Sequence, residues 1–255
     1  MISNVKYLLA VMLLVLLTAC ATGNSHQGVG SNTRDAVRDR ARAHTDLGAA
    51  YLQKNKLEIA LDEFSQAAEI MPTYALAYTG LALVRSALGQ DEEAEFNFKK
   101  SIDLDSSISE THNNYGTFLC SRGRYDESIE QFMVAVSNPL YATPNLAYAN
   151  AGICAERKKD IKAAERYLNK ALQLQPLTHS AAHRLAEIQF ERGDIVAAKK
   201  TLQNAIVASP NSEILWLGVR IARALGDKNN ESSYALELRR RFPNSEATQL
   251  LLNKK

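Results

Sequence analysis

One pattern recurs through the chain at a spacing of 34 residues, and it constrains the fold more than any other feature. Gly48, Ala82 and Gly116 are small residues at equivalent places in successive copies, each 34 residues after the last. In the first copy, apolar residues follow helical spacing as far as Tyr51, stop at the polar segment 54–56, and then resume that spacing. Each copy therefore predicts two antiparallel helices joined by a short turn.

The residue types at these positions indicate how the two helices pack. Gly48 and Ala60 allow the helix backbones to approach closely, while Tyr51 and Phe64 fill the space beside them. Pro72 cannot continue a helix and ends the second one. The period and the residue types match the tetratricopeptide repeat (TPR). Because one such pair cannot bury its apolar face alone, we predict an all-α TPR solenoid of about six helix-turn-helix repeats, wound as a right-handed superhelix.

The repeats can be placed along most of the chain, within a predicted solenoid domain at 34–255. We place them at about 41–74, 75–108, 109–142, 145–178, 179–212 and 213–244, followed by a C-terminal cap. The third copy ends irregularly, because 36 residues separate Gly116 from Gly152 and two extra residues fall in the connector 137–143. The sixth copy is the weakest match and fits only with a one-residue deletion, as expected of a terminal repeat.

The amino terminus has the features of a lipoprotein signal peptide at residues 1–19. Lys6 precedes an apolar run at 7–17, which is too short to span a bilayer comfortably. The sequence Leu17-Thr18-Ala19-Cys20 resembles a bacterial lipobox, so we predict lipidation of Cys20. Residues 20–33 are rich in Gly, Ser, Thr and Asn and predict a lipidated flexible tether. An ordinary signal peptide with a chance cysteine is the alternative.

The residue after the cysteine bears on which membrane holds the anchor. In the lipoprotein sorting pattern that this segment resembles, an aspartate there favours retention in the inner membrane. Ala21 stands at that position instead. We therefore expect a lipid anchor in the outer membrane, at its periplasmic face.

Two internal cysteines could pair in such an oxidising compartment. Cys120 and Cys154 fall in the first helices of the third and fourth repeats, which stack as neighbours. The sequence predicts a disulfide between them, worth ~2–4 kcal/mol. Two buried free thiols are the alternative, since unpaired cysteine is often buried.

The residues that carry catalysis or metal binding are not gathered in any recognisable motif. His179 and His183 lie one turn apart, but the glutamate between them and the third ligand of a zinc site are missing, so no metal is predicted. A glycine-rich phosphate loop and a nucleophile elbow are also missing. The formal net charge of +2 without a basic block argues against nucleic acid. We expect no enzyme activity, no cofactor and no small-molecule substrate.

The first helix of each TPR pair lines the concave surface of a solenoid, where protein partners bind. An apolar groove with a ladder of amide side chains is predicted there, suited to an extended segment or a helix of a partner. Its residues are Leu76, Thr79, Leu83, Asn113, Asn114, Thr117, Asn150 and Ile153. A groove that merely closes on itself by curvature is the alternative.

Several segments resemble one family more specifically than the repeat does. They are Asn113-Asn114-Tyr115-Gly116 in the third repeat, Leu140-Tyr141 in the irregular connector, and Arg241-Phe242-Pro243 near the C-terminus. Together with the lipobox and the six repeats, they resemble the PilF/PilW family of outer-membrane lipoproteins of type IV pilus biogenesis. The resemblance covers nearly the whole chain.

The resemblance implies a function that the repeats alone do not. The family acts as a pilotin, which helps the secretin, the pilus exit channel, to reach the outer membrane and assemble into its multimer. A secretin subunit would then be the protein partner, and the lipid on Cys20 would carry the complex. A general periplasmic TPR adaptor lipoprotein that scaffolds envelope enzymes is the alternative.

Overall fold

A computed structural model describes residues 29–208 and 210–253, and within these ranges the secondary structure consists of thirteen α-helices. The signal peptide and Cys20 lie outside the described residues. The helices are α1 (Val29–Gln53), α2 (Leu57–Ile70), α3 (Ala75–Ala87), α4 (Asp91–Leu104), α5 (Ser109–Ser121), α6 (Tyr125–Ser137), α7 (Pro144–Arg157), α8 (Ile161–Leu174), α9 (His179–Glu191), α10 (Ile195–Ala208), α11 (Ser212–Ala224), α12 (Lys228–Arg241) and α13 (Glu246–Asn253).

The helices follow the order that a TPR solenoid requires. Successive pairs run from α1/α2 to α11/α12, one pair for each of the six predicted repeats, and α13 lies in the predicted cap. Helix α1 begins at Val29, so residues 29–33 of the segment predicted as a flexible tether are helical. Among the described helices, none combines the length and the apolar character that a bilayer crossing requires.

The chain divides into two compact units, and the first ends at Ala77. In this unit α1 packs against α2 along their small residues. A Cβ added to Gly48 would lie 2.9 Å from Cε1 of Phe64, which is itself buried between Ala60 and Ala67 on its own helix. His44 Nδ1 lies 2.7 Å from a carboxylate oxygen of Glu63, so a polar contact accompanies the apolar one.

The second unit begins at Tyr78 and contains the remaining pairs. Within it, each first helix contacts the next one along the chain, from α5 through α7, α9 and α11 to α13. The close approach of Gly48 to Phe64 recurs here, since a Cβ at Gly116 would lie 2.8 Å from the ring of Phe132. This stacking brings the same face of successive first helices side by side.

A residue in the left-handed backbone region makes the turn inside each pair. Four of these turns use glycine, and the other two use Asn55 (φ 54°) and Lys159 (φ 71°). The glycines are Gly89, Gly123, Gly193 and Gly226. The left-handed residue ends the first helix and reverses the chain within a few residues, because it redirects the backbone without a longer loop.

The connector between α6 and α7 is longer than the others but is held in place at both ends. Asn138 accepts a hydrogen bond from the Leu140 N–H at 2.9 Å and donates one to the Ser107 carbonyl at 3.3 Å. Tyr141 is buried in the core between the two repeats, whereas the Leu140 side chain is 89% exposed. The extra residues therefore fold as an anchored loop.

Candidate protein-binding site

The predicted amide ladder is present on α5 and α7. Asn150 Nδ2 donates a hydrogen bond to Asn113 Oδ1 at 3.0 Å, which links the two helices across the repeat boundary. Asn114 and Ile153 are half-buried on the same helices, and Thr117 is exposed. The structure thus brings five of the eight predicted residues together on two neighbouring first helices.

Thr79 does not belong to this surface, contrary to our prediction. Its side chain is only 6% exposed, and its Oγ1 lies 2.8 Å from Ser101 Oγ and 2.7 Å from Thr111 Oγ1. All three hydroxyls are buried, and each finds its hydrogen-bond partner within the cluster. Thr79 therefore contributes to packing between repeats.

The two predicted leucines differ in their surroundings. Leu83 is half-buried and packs against the core that contains Phe98 and Tyr115, so it supports the repeat. Leu76 lies in the first compact unit and is 38% exposed. Of the two, Leu76 therefore has the more exposed side chain.

The structure joins Cys120 of α5 to Cys154 of α7 in a disulfide, with a Cα–Cα distance of 5.8 Å. Both cysteines are buried, in a core that also contains Phe132 and Tyr141. The same two helices carry the hydrogen bond between Asn113 and Asn150. The disulfide therefore fixes the two elements that present the amide ladder.

A charged network joins the second and third repeats away from the ladder. Arg124 contacts Glu95 and Glu127 at 2.6 and 2.5 Å, and the Tyr115 hydroxyl donates to Glu95 at 3.0 Å. The hydrogen bond from Arg124 lowers the pKa of Glu95 to about 2, while burial raises the pKa of Tyr115 to about 12. The charges are neutralised within the network, which indicates a structural role.

The structure contains a second groove that the sequence pattern did not indicate, formed by α7, α9, α11 and α13. Two adjoining cavities of about 420 and 480 Å³ open there, and His183 and Glu213 line both of them. The first cavity is lined by Ile153, His179, Ser180, His183, Arg184, Asn211 and Glu213, and the second by His183, Glu187, Ser212, Glu213, Trp216, Leu217, Arg220, Glu246, Ala247 and Leu250. We call this surface the C-terminal groove.

Helical spacing produces the walls of the C-terminal groove. On α9, His179, His183 and Glu187 follow one another at four-residue steps, so they share one face. On α11, Trp216 and Arg220 follow the same rule. The spacing of His179 and His183 was visible in the sequence, but without the neighbouring helices it suggested only an incomplete metal site.

The two arginines of the C-terminal groove form ion pairs with glutamates of the protein. Arg184 Nη1 donates to Glu187 Oε2 at 2.9 Å and lies 3.8 Å from a carboxylate oxygen of Glu156. Arg220 lies 3.7 Å from Glu187, and its guanidinium carbon is 4.7 Å from the ring centre of Phe190. Both arginines are therefore engaged with groups of the protein itself.

The two histidines are half-buried in the walls of the groove. Burial lowers the pKa of His183, and the nearby charges of Arg184 and Arg220 act in the same direction, although Glu187 and Glu213 oppose them. The His183 imidazole is therefore neutral at neutral pH. The Nε2 atom of His179 is buried and has no hydrogen-bond partner within the described residues.

Stacked helix pairs with accessible faces on their first helices define a TPR protein, whose repeats mediate protein–protein interaction. Two family models described as tetratricopeptide repeat match residues 75–108 and 156–220. The type IV pilus assembly protein PilF of Pseudomonas aeruginosa is 30% identical over 244 residues, which cover 95% of this chain and 96% of PilF. The chain therefore belongs to the PilF family.

Solved structures of this family have the same fold. A structure of Pseudomonas aeruginosa PilF aligns with a TM-score of 0.73 and 29% identity, covering 88% of this chain and all of that one. A crystal structure of PilW, described as a widely conserved type IV pilus biogenesis factor, aligns with a TM-score of 0.70 and 30% identity over 83% of this chain and 98% of PilW. An uncharacterized protein of Haemophilus influenzae is 28% identical over 169 residues.

Proposed function

We propose that this chain is an outer-membrane TPR lipoprotein that acts as a pilotin in type IV pilus biogenesis. It binds the secretin and promotes its localisation to the outer membrane and its multimerisation. The observation that carries this proposal is the similarity to PilF, a type IV pilus assembly protein, over 95% of the chain and 96% of PilF.

The surface on α5 and α7 supplies a binding site of suitable chemistry. Asn113 and Asn150 present amide groups that can donate to and accept from the backbone of an extended partner segment, while Ile153 offers apolar contact. The disulfide holds the two helices in fixed register, which reduces the entropic cost of binding. Binding alone is sufficient for this role, and no bond in the partner is made or broken.

The test is to delete the gene and probe fractionated membranes for detergent-resistant secretin multimers. We expect the multimers to vanish or to move to the inner membrane, and to return when the wild-type gene is restored. Normal multimers in the outer membrane of the deletion strain would overturn the pilotin proposal. If that strain shows cell-shape or envelope defects instead, the alternative of a general periplasmic adaptor takes its place.

A paired variant locates the binding surface. Asn113→Ala with Asn150→Ala removes the amide groups of the ladder and is expected to reduce the multimers when it replaces the wild-type protein. The matched control is Asn97→Ala with Asn169→Ala, because within the described residues these two side chains donate to backbone carbonyls of their own helices, away from the ladder. Thermal unfolding of both variants separates loss of binding from loss of fold.

A further inference from the structure

We propose that the C-terminal groove is a second docking site, which binds an extended basic segment of a protein partner. A lysine or arginine of that segment is bound by the carboxylates of Glu213 and Glu246, beside the indole of Trp216. This docking site is inferred from the residues of the groove, whereas the pilotin role is inferred from similarity to PilF. Failure of either proposal would therefore leave the other intact.

The two cavities form one groove, which is closed at one end by helix α13. Its two cavities share His183 and Glu213, and their volumes of about 420 and 480 Å³ each lie in the range typical of ligand sites. Helix α13 forms the end wall through Glu246 and Leu250. This helix is anchored because Thr248 is buried and its hydroxyl donates to the Phe242 carbonyl at 2.7 Å.

The charges that remain in the groove determine the chemistry of the occupant. Arg184 pairs with Glu187 and lies 3.8 Å from Glu156, and Arg220 lies 3.7 Å from Glu187, so two carboxylates oppose the two guanidinium charges. Glu213 accepts a hydrogen bond from Asn211 Nδ2 at 3.3 Å, and Glu246 begins α13. Within the described residues, neither of these two carboxylates has a lysine or arginine within 4 Å. The groove thus retains negative charge and is complementary to a basic segment.

The other side chains that line the second cavity suit a long cationic side chain. Trp216 lines the same cavity as Glu213 and Glu246, so a cation bound by these carboxylates lies near its indole. Leu250, which is 39% exposed, can pack against the methylene stem of the same side chain. His183 is neutral at neutral pH, so it does not repel the cation.

Trp216 is the only tryptophan of the chain, so its fluorescence reports directly on this groove. The experiment titrates the full chain, purified in a non-ionic detergent, with a twelve-residue probe peptide made of four Gly-Leu-Lys units. We expect a saturable change in tryptophan emission that weakens as salt is added, because salt screens exposed charges. The comparison peptide of four Gly-Leu-Glu units is expected to produce no change.

Variants test whether the two carboxylates bind the probe. Glu213→Gln with Glu246→Gln should weaken binding by roughly five- to tenfold, because two partly screened ion pairs are lost. The control Glu92→Gln with Glu93→Gln changes the charge equally on α4, outside the groove, and should bind as wild type does. All four positions are exposed, so folding is retained. Equal affinity in the groove variant and the wild type, or equal binding of the acidic peptide, would overturn the proposal.

Discussion

At the residue scale, the small residues of the first helices set how closely each pair packs. Around Gly116 the available space is less than a methyl group needs, since an added Cβ would lie 2.8 Å from Cε1 of Phe132 and 3.0 Å from the Ser128 carbonyl oxygen. Ser128 also donates its hydroxyl to the Gly116 carbonyl at 2.7 Å. The backbone there is held from both sides and cannot shift freely.

Gly116→Ala is therefore expected to destabilise the protein although alanine is the better helix former. Replacing glycine within a helix contributes about 1 kcal/mol of stability, whereas overpacking costs ~1–3 kcal/mol. Because the clash involves backbone as well as a ring, the second effect should prevail by about 1–2 kcal/mol. Urea unfolding measures the difference. Thr117→Ala, one residue along on the exposed face, is the control and should change stability far less.

His183 makes stability depend on pH in a defined direction. Its pKa in the folded protein lies below the ordinary value of 6.5, mainly because of burial, so the unfolded chain binds more protons below that pH. The groups that face it are Arg184 and Glu187 of α9 and Glu213 and Arg220 of α11. The stability contribution of the neutral imidazole is thus full above pH 6.5 and is lost as the pH falls towards the folded pKa.

The expected result is a melting temperature that falls less steeply with acidification in His183→Gln than in the wild type. Thermal unfolding between pH 5 and pH 7.5 measures both slopes, and the other histidines are common to the two proteins. A variant slope as steep as that of the wild type would show that His183 does not contribute.

At the element scale, the period of 34 residues was sufficient to predict the helix pairs. Each predicted repeat contains one pair, because the pattern reports both the contact between the two helices and the turn that joins them. The repeat pattern did not predict which residue would adopt the left-handed conformation at every turn. Lys159 does so in the fourth pair, where most other pairs have glycine. The sequence pattern therefore predicted the helices more completely than it predicted the turn residues.

The site was less predictable than the elements, for two physical reasons. Thr79 has helical spacing that suits a groove, but Ser101 and Thr111 come from other helices and bury its hydroxyl. The C-terminal groove depends on α13, which lies beyond the last repeat, and on α11, whose repeat is the weakest match in the sequence. Contacts between distant segments of the chain decided both cases.

The disulfide ties α5 to α7, so its removal should destabilise the third and fourth repeats together. The two cysteines are 34 residues apart, and closing a loop of that length in the unfolded chain corresponds to about 3–4 kcal/mol. We expect reductant to lower the free energy of unfolding by about this amount in urea titrations. Cys120→Ala with Cys154→Ala should begin at the lower value and show no further change with reductant.

At the scale of the whole molecule, the proposed role needs an anchor at one end of the chain and binding surfaces on the repeats. The amide ladder on α5 and α7 and the C-terminal groove both lie in the second compact unit, and they share α7 through Asn150 and Ile153. The ladder is polar and uncharged, whereas the groove retains two acidic side chains. Two sites of such different chemistry can bind different segments, either of one partner or of two.

The proposed lipid anchor at Cys20 is the remaining requirement, and it can be tested on its own. Acyl chains bind membranes through burial of their methylenes, at about 0.8 kcal/mol each, so loss of the acylated cysteine should abolish stable attachment. In cells that express Cys20→Ala, we expect the protein to leave the outer-membrane fraction and secretin multimers to accumulate in the inner membrane. The control Cys120→Ala with Cys154→Ala also removes cysteine but leaves the lipobox intact, so it should remain in the outer membrane. Unchanged fractionation of Cys20→Ala would show that attachment does not depend on a lipid at this cysteine.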